Sequence, residues 1–535
     1  MTQPAQARPH VRPMEVVMAV ERIRDTAYVV QNRQSRHVGV LFGDEAGSQP
    51  SLPNDWSLLG VLPPLYPEWL GDRSFAETHG IRFPYVAGEM ANGIATPEMV
   101  QAVGQCGMLG FLGCAGLSLN RIQQLVTKVK MGLSGTNAAW GANLIHTPSE
   151  PRLEDQTVDL FLAEGVRRVS TSAFMKLESS VVRYACQGLT RDAQGRIQRP
   201  NKIFAKVSRP EVAAAFLRPP PSEMLRSLVQ AGRVTEAEAQ LAAQIPVAED
   251  ITAEADSGGH TDNRPLGALL SSLMRLRDDI VRELRYTNPV RIGAAGGLGT
   301  PSAVASAFAL GAAYVLTGSV NQSANEAGIS LDARRMLAGA GLADVTMAPA
   351  ADMFEMGVRV QVLKRGTLFA ARGARLFDVY RDYDSWDTVP AAVQKEIETQ
   401  MFRQPFDAVW KETREFWQGR EPREAERADR DPHHRMALAF RWYLGKASRW
   451  AIEGAPGRAI DFQVWCGPAM GAFNDWVRGS FLEPVENRGV VQIGLNLMEG
   501  AAVITRAQQL RSFGVAVPAE AFSFRPRPFD VTGTL

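Results

Sequence analysis

Two glycine-rich turns near the middle of the chain have the composition of a phosphate-binding site. They are Ala294–Thr300, AAGGLGT, and Leu316–Ser319, LTGS. Glycines let backbone N–H groups approach an anion with no Cβ in the way, and the N-terminus of a following helix adds partial positive charge. Neither turn is a P-loop or a G-x-G-x-x-G fingerprint, and tight-turn glycines alone would explain either one. Because both occur about 20 residues apart, we predict a phosphate-bearing ligand.

A histidine behind two glycines is the strongest candidate for a group that acts on a substrate. Residues Ser257–His260 read SGGH and follow an apolar run. The two glycines would let the imidazole swing over the end of a barrel, and of the seven histidines only this one lies where barrel enzymes place catalytic groups. A histidine that only hydrogen-bonds a loop is the alternative. We expect His260 to be catalytic.

Polar or small residues end three further apolar runs. Asn143 has an amide that can pair with the donor and acceptor edge of a flavin ring. The ammonium of Lys206 would stabilise negative charge on a reduced flavin and raise its reduction potential. Ala87 and Gly88 would leave a flat ring room to lie on backbone. Ordinary turn chemistry and a solvated lysine are the alternatives. FMN, which has both a phosphate and a flat ring, is the leading candidate ligand.

Short apolar runs alternate with amphipathic, helix-length segments between residues 81 and 330. The eight runs are Pro84–Glu89, Met108–Gly113, Gly141–Ile145, Val166–Thr171, Ile203–Val207, Asp250–Asp256, Val290–Ala295 and Ala313–Thr317. Eight strand–helix units in about 240 residues are typical of an α/β (β/α)8 TIM barrel. A doubly wound sheet is the alternative, although it usually has fewer strands. A mixed, β-containing segment over residues 1–80 precedes the predicted barrel.

One helical insertion, residues 209–246, separates the fifth and sixth predicted strands. Three prolines, Pro219–Pro221, precede a predicted helix over Ser222–Ala231, and a capping box at Thr235–Glu238 begins another. Such a helical hairpin beside a barrel mouth would suit a substrate lid. A surface excursion that only pads the barrel is the alternative.

The remaining residues, 331–535, are predicted to form a mainly helical C-terminal domain. Phe406, Trp410 and Trp417 share one helical face among mixed charges, which indicates packing through an aromatic stripe. Six of the ten tryptophans lie between Trp410 and Trp476, so this region has the composition of a folded domain.

Composition and charge exclude several classes of protein. Apolar residues make up 45% of the chain and charged residues 21%, as in globular proteins, and the net charge of +1 gives no global field for nucleic acid or an anionic membrane. The four cysteines fit no disulfide or metal framework, so we expect free thiols and no metal. The most apolar window, Pro301–Val320, is broken by glycines, and the first residues resemble no secretory signal. We expect a cytoplasmic protein.

One local cluster of basic residues could meet an acidic partner. The segment Gly357–Leu376 contains five basic residues and no acidic one. Its members are Arg359, Lys364, Arg365, Arg372 and Arg375. A solvated strand face is the alternative interpretation.

Long strings in this chain resemble one known enzyme superfamily. The segment Pro84–Gly116, the Gly-Gly-His loop and the two phosphate turns are similar to those of flavin-dependent nitronate monooxygenases, which are FMN-binding barrels. Three strings look closer to one branch of it, the PfaD-type trans-acting enoyl reductases of polyunsaturated fatty acid and polyketide synthases. These strings are Tyr85–Ala95, YVAGEMANGIA; Glu254–Pro265, EADSGGHTDNRP; and Trp465–Phe473, WCGPAMGAF. The likeness covers nearly the whole chain, including the helical region.

The resemblance implies a set of flavin contacts. By position these are Met90, Asn143, Lys206, Ser257, Gly297, Gly318 and Ser319, beside which we place Ala87, Gly88, Gly258 and Gly296. Some relatives use a hydroxyl near the position of Asn143, and many have threonine in place of Ser319, which keeps the hydroxyl.

The resemblance also implies a hydride relay. NADPH or NADH would reduce FMN at N5, and an enoyl thioester on an acyl carrier protein would then accept hydride at its β-carbon. His260, which is the base in nitronate oxidation, would instead stabilise the enolate oxygen, donate a proton to the α-carbon, or both. A neutral imidazole can work as a donor near pH 7, because the pKa of histidine, about 6.5, is close to ambient pH. Arg359, Lys364 and Arg365 would dock the carrier domain. The implied partners are synthase modules acting in trans, with a homodimer left open.

Three alternatives remain at this stage. A nitronate monooxygenase would use His260 as a base and oxygen as oxidant. A non-catalytic synthase subunit would use the helical tail and no reducible flavin. A flavin-free barrel with a phosphate ligand, such as a nucleotide dehydrogenase, would need an activated loop cysteine, and none of the four cysteines lies in a suitable loop.

Overall fold

A closed barrel of eight parallel strands forms the centre of the computed structural model, which describes residues 8–43, 50–148 and 150–530. The barrel strands follow one another in chain order, and the last pairs with the first. Two-residue strands at Thr190–Arg191, Ile197–Gln198 and Gly259–His260 lie in loops. The longer strands are β1 (Ala27–Asn32), β2 (Val38–Phe42), β3 (Trp56–Leu62), the barrel strands β4 (Tyr85–Ala87), β5 (Leu109–Leu112), β6 (Trp140–Ile145), β7 (Arg168–Ser172), β8 (Lys202–Val207), β9 (Asp250–Glu254), β10 (Arg291–Ala295) and β11 (Val315–Thr317), and then β12 (Val345–Pro349) and β13 (Arg359–Leu363).

Helices surround the barrel and make up most of the region that follows it. None of the helices within the described ranges is long and apolar enough to cross a membrane. They are α1 (Pro13–Glu21), α2 (Arg73–His79), α3 (Pro97–Gln105), α4 (Leu119–Gly132), α5 (Pro151–Glu164), α6 (Ser179–Cys186), α7 (Pro210–Leu217), α8 (Ser222–Gln230), α9 (Glu236–Ala242), α10 (Leu266–Leu284), α11 (Pro301–Ala309), α12 (Ser319–Gln322), α13 (Leu331–Ala338), α14 (Phe369–Asp382), α15 (Ala391–Glu396), α16 (Phe406–Arg420), α17 (Pro422–Arg430), α18 (Pro432–Glu453), α19 (Ala469–Val477) and α20 (Val490–Ser512).

The eight strands predicted from the apolar runs all form, and the TIM-barrel prediction is confirmed. The four residues of β5 and the five of β10 are buried throughout, as expected for parallel strands covered on both faces. Side-chain caps begin several of the helices that follow. Thr300, for example, ends the first glycine-rich turn and accepts a hydrogen bond from the backbone N–H of Ala303 at the start of α11.

A buried charged cluster closes the end of the barrel where the strands begin. Asp250 at the start of β9 accepts hydrogen bonds from Arg291 of β10 at 2.6 and 2.9 Å and lies 3.0 Å from Nε2 of His79. Arg168 donates from Nε to Nδ1 of His79 at 3.3 Å, so the proton of the neutral imidazole is on Nε2 and points at Asp250. Burial alone raises the pKa of Asp250, but Arg291 and His79 hold it well below its usual range.

Asp250→Ala is expected to lower the free energy of unfolding by about 3–5 kcal/mol, because it leaves the buried guanidinium of Arg291 without its counter-charge. Glu283→Ala is the matched control, since Glu283 pairs with Arg218 on the surface and such pairs contribute about 0–1 kcal/mol. Urea unfolding followed by tryptophan fluorescence measures both losses. Equal losses in the two variants would show that the buried cluster contributes no more to stability than a surface ion pair.

The N-terminal segment packs on the barrel together with the last helix. β1 pairs with β2 and β3 in an antiparallel sheet, which confirms the predicted β-rich stretch, whereas β3 lies in a proline-rich stretch where no strand is predicted. Helix α20 joins the same hydrophobic core and lies so close to β4 that a Cβ at Gly494 would be 3.1 Å from the ring of Tyr85.

The insertion at residues 209–246 forms the predicted helical hairpin on the outside of the barrel. Its capping box is present, with the Thr235 hydroxyl accepting from the N–H of Glu238 and the Glu238 carboxylate accepting from the N–H of Thr235. Leu225 and Leu228 of α8 and Ala239 of α9 pack with α6 in a small separate core.

The region after the barrel is mainly helical, as predicted, but it also contains β12 and β13. These strands pair with each other, and β13 pairs with the two-residue strand that contains His260. Phe406, Trp410 and Trp417 are buried in a second hydrophobic core, which confirms the aromatic stripe of α16. The domain boundaries themselves stay a prediction.

Candidate active site

A large cavity of about 1110 Å³ lies over the carboxyl ends of the barrel strands. One wall comes from the loops after the strands, and the opposite wall comes from α16 and α18 of the C-terminal region, including Trp417 and Trp442. No residue of the fully described insertion 209–246 lines this cavity. The structure therefore favours the surface-excursion interpretation of the insertion, and α16 and α18 cover the mouth instead.

The two glycine-rich turns meet at the edge of the cavity. Gly296 and Gly297 have positive φ angles of 87° and 72°. A Cβ at Gly297 or Gly318 would meet nothing within 4 Å, whereas one at Gly296 would lie 2.6 Å from the carbonyl carbon of Ala255. Gly297, Gly318 and Ser319 thus border open space of the kind a phosphate group fills.

The end of the first barrel strand forms the adjacent floor. A Cβ at Gly88 would lie 2.5 Å from Leu316, so this glycine allows β4 and β11 to approach closely. Ala87 and Gly88, which are predicted to contact the flavin, do not line the cavity, whereas Met90, which is 8% exposed, does.

Asn143 of β6 presents one side of its amide to the cavity. Its Nδ2 donates to the carbonyl of Ser170 at 3.1 Å and to the hydroxyl of Ser172 at 3.0 Å. No described residue donates to its Oδ1. The donor side of the predicted donor–acceptor pairing is therefore used within the protein, and the acceptor oxygen has no donor among the described residues.

Lys206 lies between two carboxylates rather than alone. Its Nζ is 3.0 Å from Oε1 of Glu89 and 3.2 Å from Oε1 of Glu254. Burial alone lowers the pKa of Lys206, but the two carboxylates outweigh this effect and raise it. The positive charge predicted from the sequence is present, yet it is offset by two acidic groups that the prediction did not include.

The loop after β9 is held by segments from the far end of the chain. The Gln361 side chain of β13 donates to the carbonyl of Ser257 at 2.8 Å. A Cβ at Gly258 would lie 2.9 Å from the backbone nitrogen of Cys466, and the N–H of Gly467 donates to the Ser319 hydroxyl at 3.0 Å. The WCGPAMGAF string therefore packs against both the histidine loop and the second glycine-rich turn.

His260 projects into the same cavity and faces a carboxylate of the C-terminal region. Its Nε2 is 3.3 Å from Oδ1 of Asp352, in the loop after β12, and one third of the His260 side chain is exposed. Burial alone lowers the pKa of His260, but Asp352 outweighs this and raises it above 6.5. Arg441 of α18 donates to the carbonyl of Asp352 at 3.5 Å and so helps to hold this loop.

The sequence analysis missed three acidic residues of the site. Glu89 and Glu254 stand at the ends of apolar runs, and a carboxylate at such a position is a signal that the analysis could have used. Asp352 follows β12, about 90 residues after His260, and no local pattern marks it. Within the described residues, no group of histidine, cysteine or acidic side chains is arranged to hold a metal ion.

The cysteines are unsuited to nucleophilic chemistry. Cys114 lines the cavity, but burial raises its pKa to about 12, and burial raises the pKa of Cys466 to about 12 as well. Both thiols therefore stay protonated near neutral pH.

The residues predicted to dock a carrier protein lie outside the cavity. Arg359 begins β13, while Lys364 and Arg365 follow its end, so roughly 17 Å of strand separates them. All three are exposed, and Arg365 lies 3.4 Å from Asp344. Their docking role stays a prediction.

Comparison with known families matches most of the chain to two models. A model described as nitronate monooxygenase matches residues 73–379, and one described as the inserted helical domain of [acyl-carrier-protein] S-malonyltransferase matches residues 383–462. The second range contains α16 and α18, which cover the cavity.

Two curated relatives show which proteins contain similar chains. One of the polyunsaturated fatty acid synthase subunits of Thraustochytrium sp. (strain ATCC 26185 / S-3) is 44% identical over 450 residues, which is 83% of this chain and 30% of that protein. Polyketide biosynthesis protein PksE of Bacillus subtilis (strain 168) is 40% identical over 437 residues, 82% of this chain and 56% of that protein. The chain thus spans less than two thirds of either relative.

A crystal structure supports the same relationship. The enoyl reductase domain of MlnA, from the macrolactin biosynthesis cluster of Bacillus amyloliquefaciens, is 39% identical with a TM-score of 0.79, covering 83% of this chain and 99% of that domain. These matches confirm the resemblance found in the sequence strings. The nitronate monooxygenase model matches more than half of the length of this chain. The chain therefore belongs to the nitronate monooxygenase family and, within it, to the group that contains the MlnA domain.

Proposed function

We propose that the protein is an FMN-dependent enoyl reductase that acts in trans on enoyl thioesters of acyl carrier protein, with NADPH or NADH as hydride source. The observation that carries this proposal is the 39% identity to the MlnA enoyl reductase domain over 99% of that domain. The relatives in polyunsaturated fatty acid synthesis and polyketide biosynthesis support the pathway class and make synthase modules the proposed partners.

The volume and the polar groups of the cavity support a bound FMN. The phosphate would occupy the space beside Gly297 and Gly318, and Oδ1 of Asn143 and the ammonium of Lys206 would meet the polar edge of the ring. Both oxygens of Glu89 are buried without a well-aligned hydrogen-bond donor among the described residues, as expected at a site completed by a ligand. The bound flavin would supply a two-electron carrier between nicotinamide and enoyl group.

His260 would provide the proton that enoyl reduction requires. Reduction of an enoyl thioester places negative charge on the thioester oxygen and leaves the α-carbon to be protonated. Asp352 lies beside His260 and favours the protonated ring, which could donate to either atom. Nε2 of the ring lies 3.3 Å from Oδ1 of Asp352.

The covering helices would separate this chemistry from solvent. Trp417 of α16 and Trp442 of α18 line the cavity, and Arg420 at the end of α16 is paired with Glu150 before α5 with a contact of 2.9 Å. The cavity is large enough to hold FMN together with the end of an acyl thioester arm.

A nitronate monooxygenase is the second candidate, favoured by the family model. That reaction would use His260 as a base, and a base must be neutral before it accepts a proton. The carboxylate of Asp352, 3.3 Å from Nε2 of His260, favours the protonated ring. The position of Asp352 therefore supports a proton donor, as in the reductase, better than a base.

Asp352→Asn is expected to move the alkaline limb of the pH–rate profile for enoyl reduction to lower pH. The protonated His260 is lost as pH rises through its pKa, and Asp352 holds that pKa above its ordinary value. Removing the charge lowers the pKa, so activity falls earlier. Asp352→Glu, which keeps the charge, should restore the limb, and a profile unchanged in Asp352→Asn would contradict the pairing.

Reversal of Arg359, Lys364 and Arg365 to glutamate is expected to weaken turnover of carrier-bound substrate while sparing a small enoyl thioester. Carrier domains are acidic, and these side chains are exposed but outside the cavity. The measurement is KM for each substrate. Equal effects on both substrates would defeat the docking role.

Substrate consumption separates the two candidate functions. The reductase should oxidise NADPH faster when a crotonyl pantetheine thioester is added, and an alkyl nitronate should cause no oxygen uptake. Oxygen uptake with the nitronate in the absence of NADPH, with no response to the thioester, would assign the oxygenase instead.

A further inference from the structure

A buried carboxylate on the cavity floor takes no part in the proton and hydride transfer of the proposed function. The side chain of Glu89, directly after β4, is only 4% exposed, yet it lines the cavity. Neither of its oxygens has a well-aligned hydrogen-bond donor among the described residues. Burying a carboxylate in this way is costly, so its position calls for an electrostatic explanation.

Glu89 forms part of a three-membered charged group that spans the barrel axis. β4 and β8 lie on opposite sides of the closed barrel, and the ammonium of Lys206 on β8 reaches across to Glu89 at 3.0 Å. Glu254, at the end of the neighbouring strand β9, contacts the same ammonium at 3.2 Å and accepts a hydrogen bond from the Ser257 hydroxyl at 3.2 Å. All three charged side chains line the cavity floor.

The group carries one formal negative charge, because two carboxylates share a single ammonium. Lys206 alone would favour a ligand that gains negative charge. With Glu89 and Glu254 in place, the floor instead disfavours such a gain, and the low exposure of the three side chains limits screening by solvent and salt.

We infer that Glu89 lowers the reduction potential of the flavin that this cavity binds, by opposing the negative charge that two-electron reduction places on the ring. This inference rests on the proposed function only in requiring a bound flavin. In this inference the charge of Glu89 shifts the equilibrium between oxidised and reduced flavin. Glu89 forms no bond to the substrate or the flavin. A flavin of lower potential gives up hydride more readily, which suits a reductase that passes hydride to an enoyl group.

The test is potentiometric titration of the holoprotein, and Glu89→Gln removes the charge while keeping the shape of the side chain. The variant is expected to favour the reduced flavin at least tenfold more than the parent protein, which is about 30 mV for a two-electron couple. Glu254→Gln should shift the potential in the same direction, and it serves as the second variant if Glu89→Gln does not fold.

Glu412→Gln is the matched control, since Glu412 borders the same cavity on α16 but is 48% exposed and pairs with Lys446 at 3.5 Å. Its potential should equal that of the parent. A potential that is unchanged or lower in Glu89→Gln would overturn the inference while leaving the proposed reductase intact, because flavin binding and NADPH oxidation are measured separately. A purified protein that binds no flavin would overturn both.

Discussion

Replacement of His260 by alanine is expected to lower the rate of enoyl reduction by about 10²–10⁴-fold, the usual effect of removing a general acid. Flavin binding and NADPH oxidation should persist, because the glycine turns, Asn143 and Lys206 contact other parts of the cavity. The location of His260 explains why enoyl reduction should be lost while flavin binding and NADPH oxidation remain. His260 lies on the short strand paired with β13 and faces Asp352, and it belongs to neither glycine-rich turn.

Stopped-flow measurement of the two half-reactions shows which of them the His260→Ala substitution slows. The rate of flavin reduction by NADPH should match that of the parent, and the rate of flavin reoxidation by an enoyl thioester should fall. His433→Ala is the control, since that histidine stacks on Tyr380 in the C-terminal region, outside the cavity. A full reoxidation rate in His260→Ala would remove His260 from the mechanism.

Gly318→Ala is expected to weaken FMN binding by roughly 10–100-fold without destabilising the apoprotein. Gly318 has a φ of −121°, which other residues adopt, and a Cβ there would meet nothing within 4 Å. The new methyl group would therefore occupy ligand space and not protein. The expected loss equals that of a hydrogen bond to a charged group, about 1.5–3 kcal/mol. Gly318→Asp should weaken binding further, since its carboxylate would repel the phosphate.

Titration of apoprotein with FMN, followed by flavin fluorescence, gives the affinity, and the Tm of the apoprotein gives the stability. Gly267→Ala is the matched control, because a Cβ at that glycine of α10 also meets nothing within 4 Å but lies away from the cavity. Unchanged FMN affinity in Gly318→Ala would show that the phosphate binds elsewhere.

Local sequence patterns were sufficient to predict the barrel. Barrel strands such as β5 and β10 are short runs buried along their whole length, so burial on both faces leaves a direct signature in the sequence. β3 was missed because its strand lies among prolines and exposes Leu58, Leu59 and Val61, a pattern that no buried strand shows. The aromatic stripe of α16 was predicted because helical spacing alone places Phe406, Trp410 and Trp417 on one face.

The sequence predicted individual site residues at the ends of strands, but it did not predict which of them contact each other. The two glycine turns and His260 are each marked by their neighbours in the chain, and the structure brings them to one cavity. The partners of Lys206 and His260 come from elements distant in sequence, Glu89 on the opposite side of the barrel and Asp352 beyond it. Local patterns carry no information about such contacts, because the fold alone decides which strand ends face each other.

The helices that cover the cavity could not be predicted from local sequence patterns either. A helical hairpin beside the fifth strand suggested a lid, yet α8 and α9 pack outward on α6. Helices α16 and α18 cover the mouth, and nothing in their amphipathic pattern distinguishes a helix above a cavity from one on a domain surface.

The central claim is that an enoyl thioester accepts hydride from the flavin, and an anaerobic half-reaction tests it most directly. The purified flavoprotein would be reduced with one equivalent of NADPH, a crotonyl thioester of acyl carrier protein would be added, and absorbance would be followed at the flavin band. The account predicts return of the oxidised band in the absence of oxygen, together with one equivalent of saturated thioester. A band that stays bleached until air or a nitronate is admitted would contradict it.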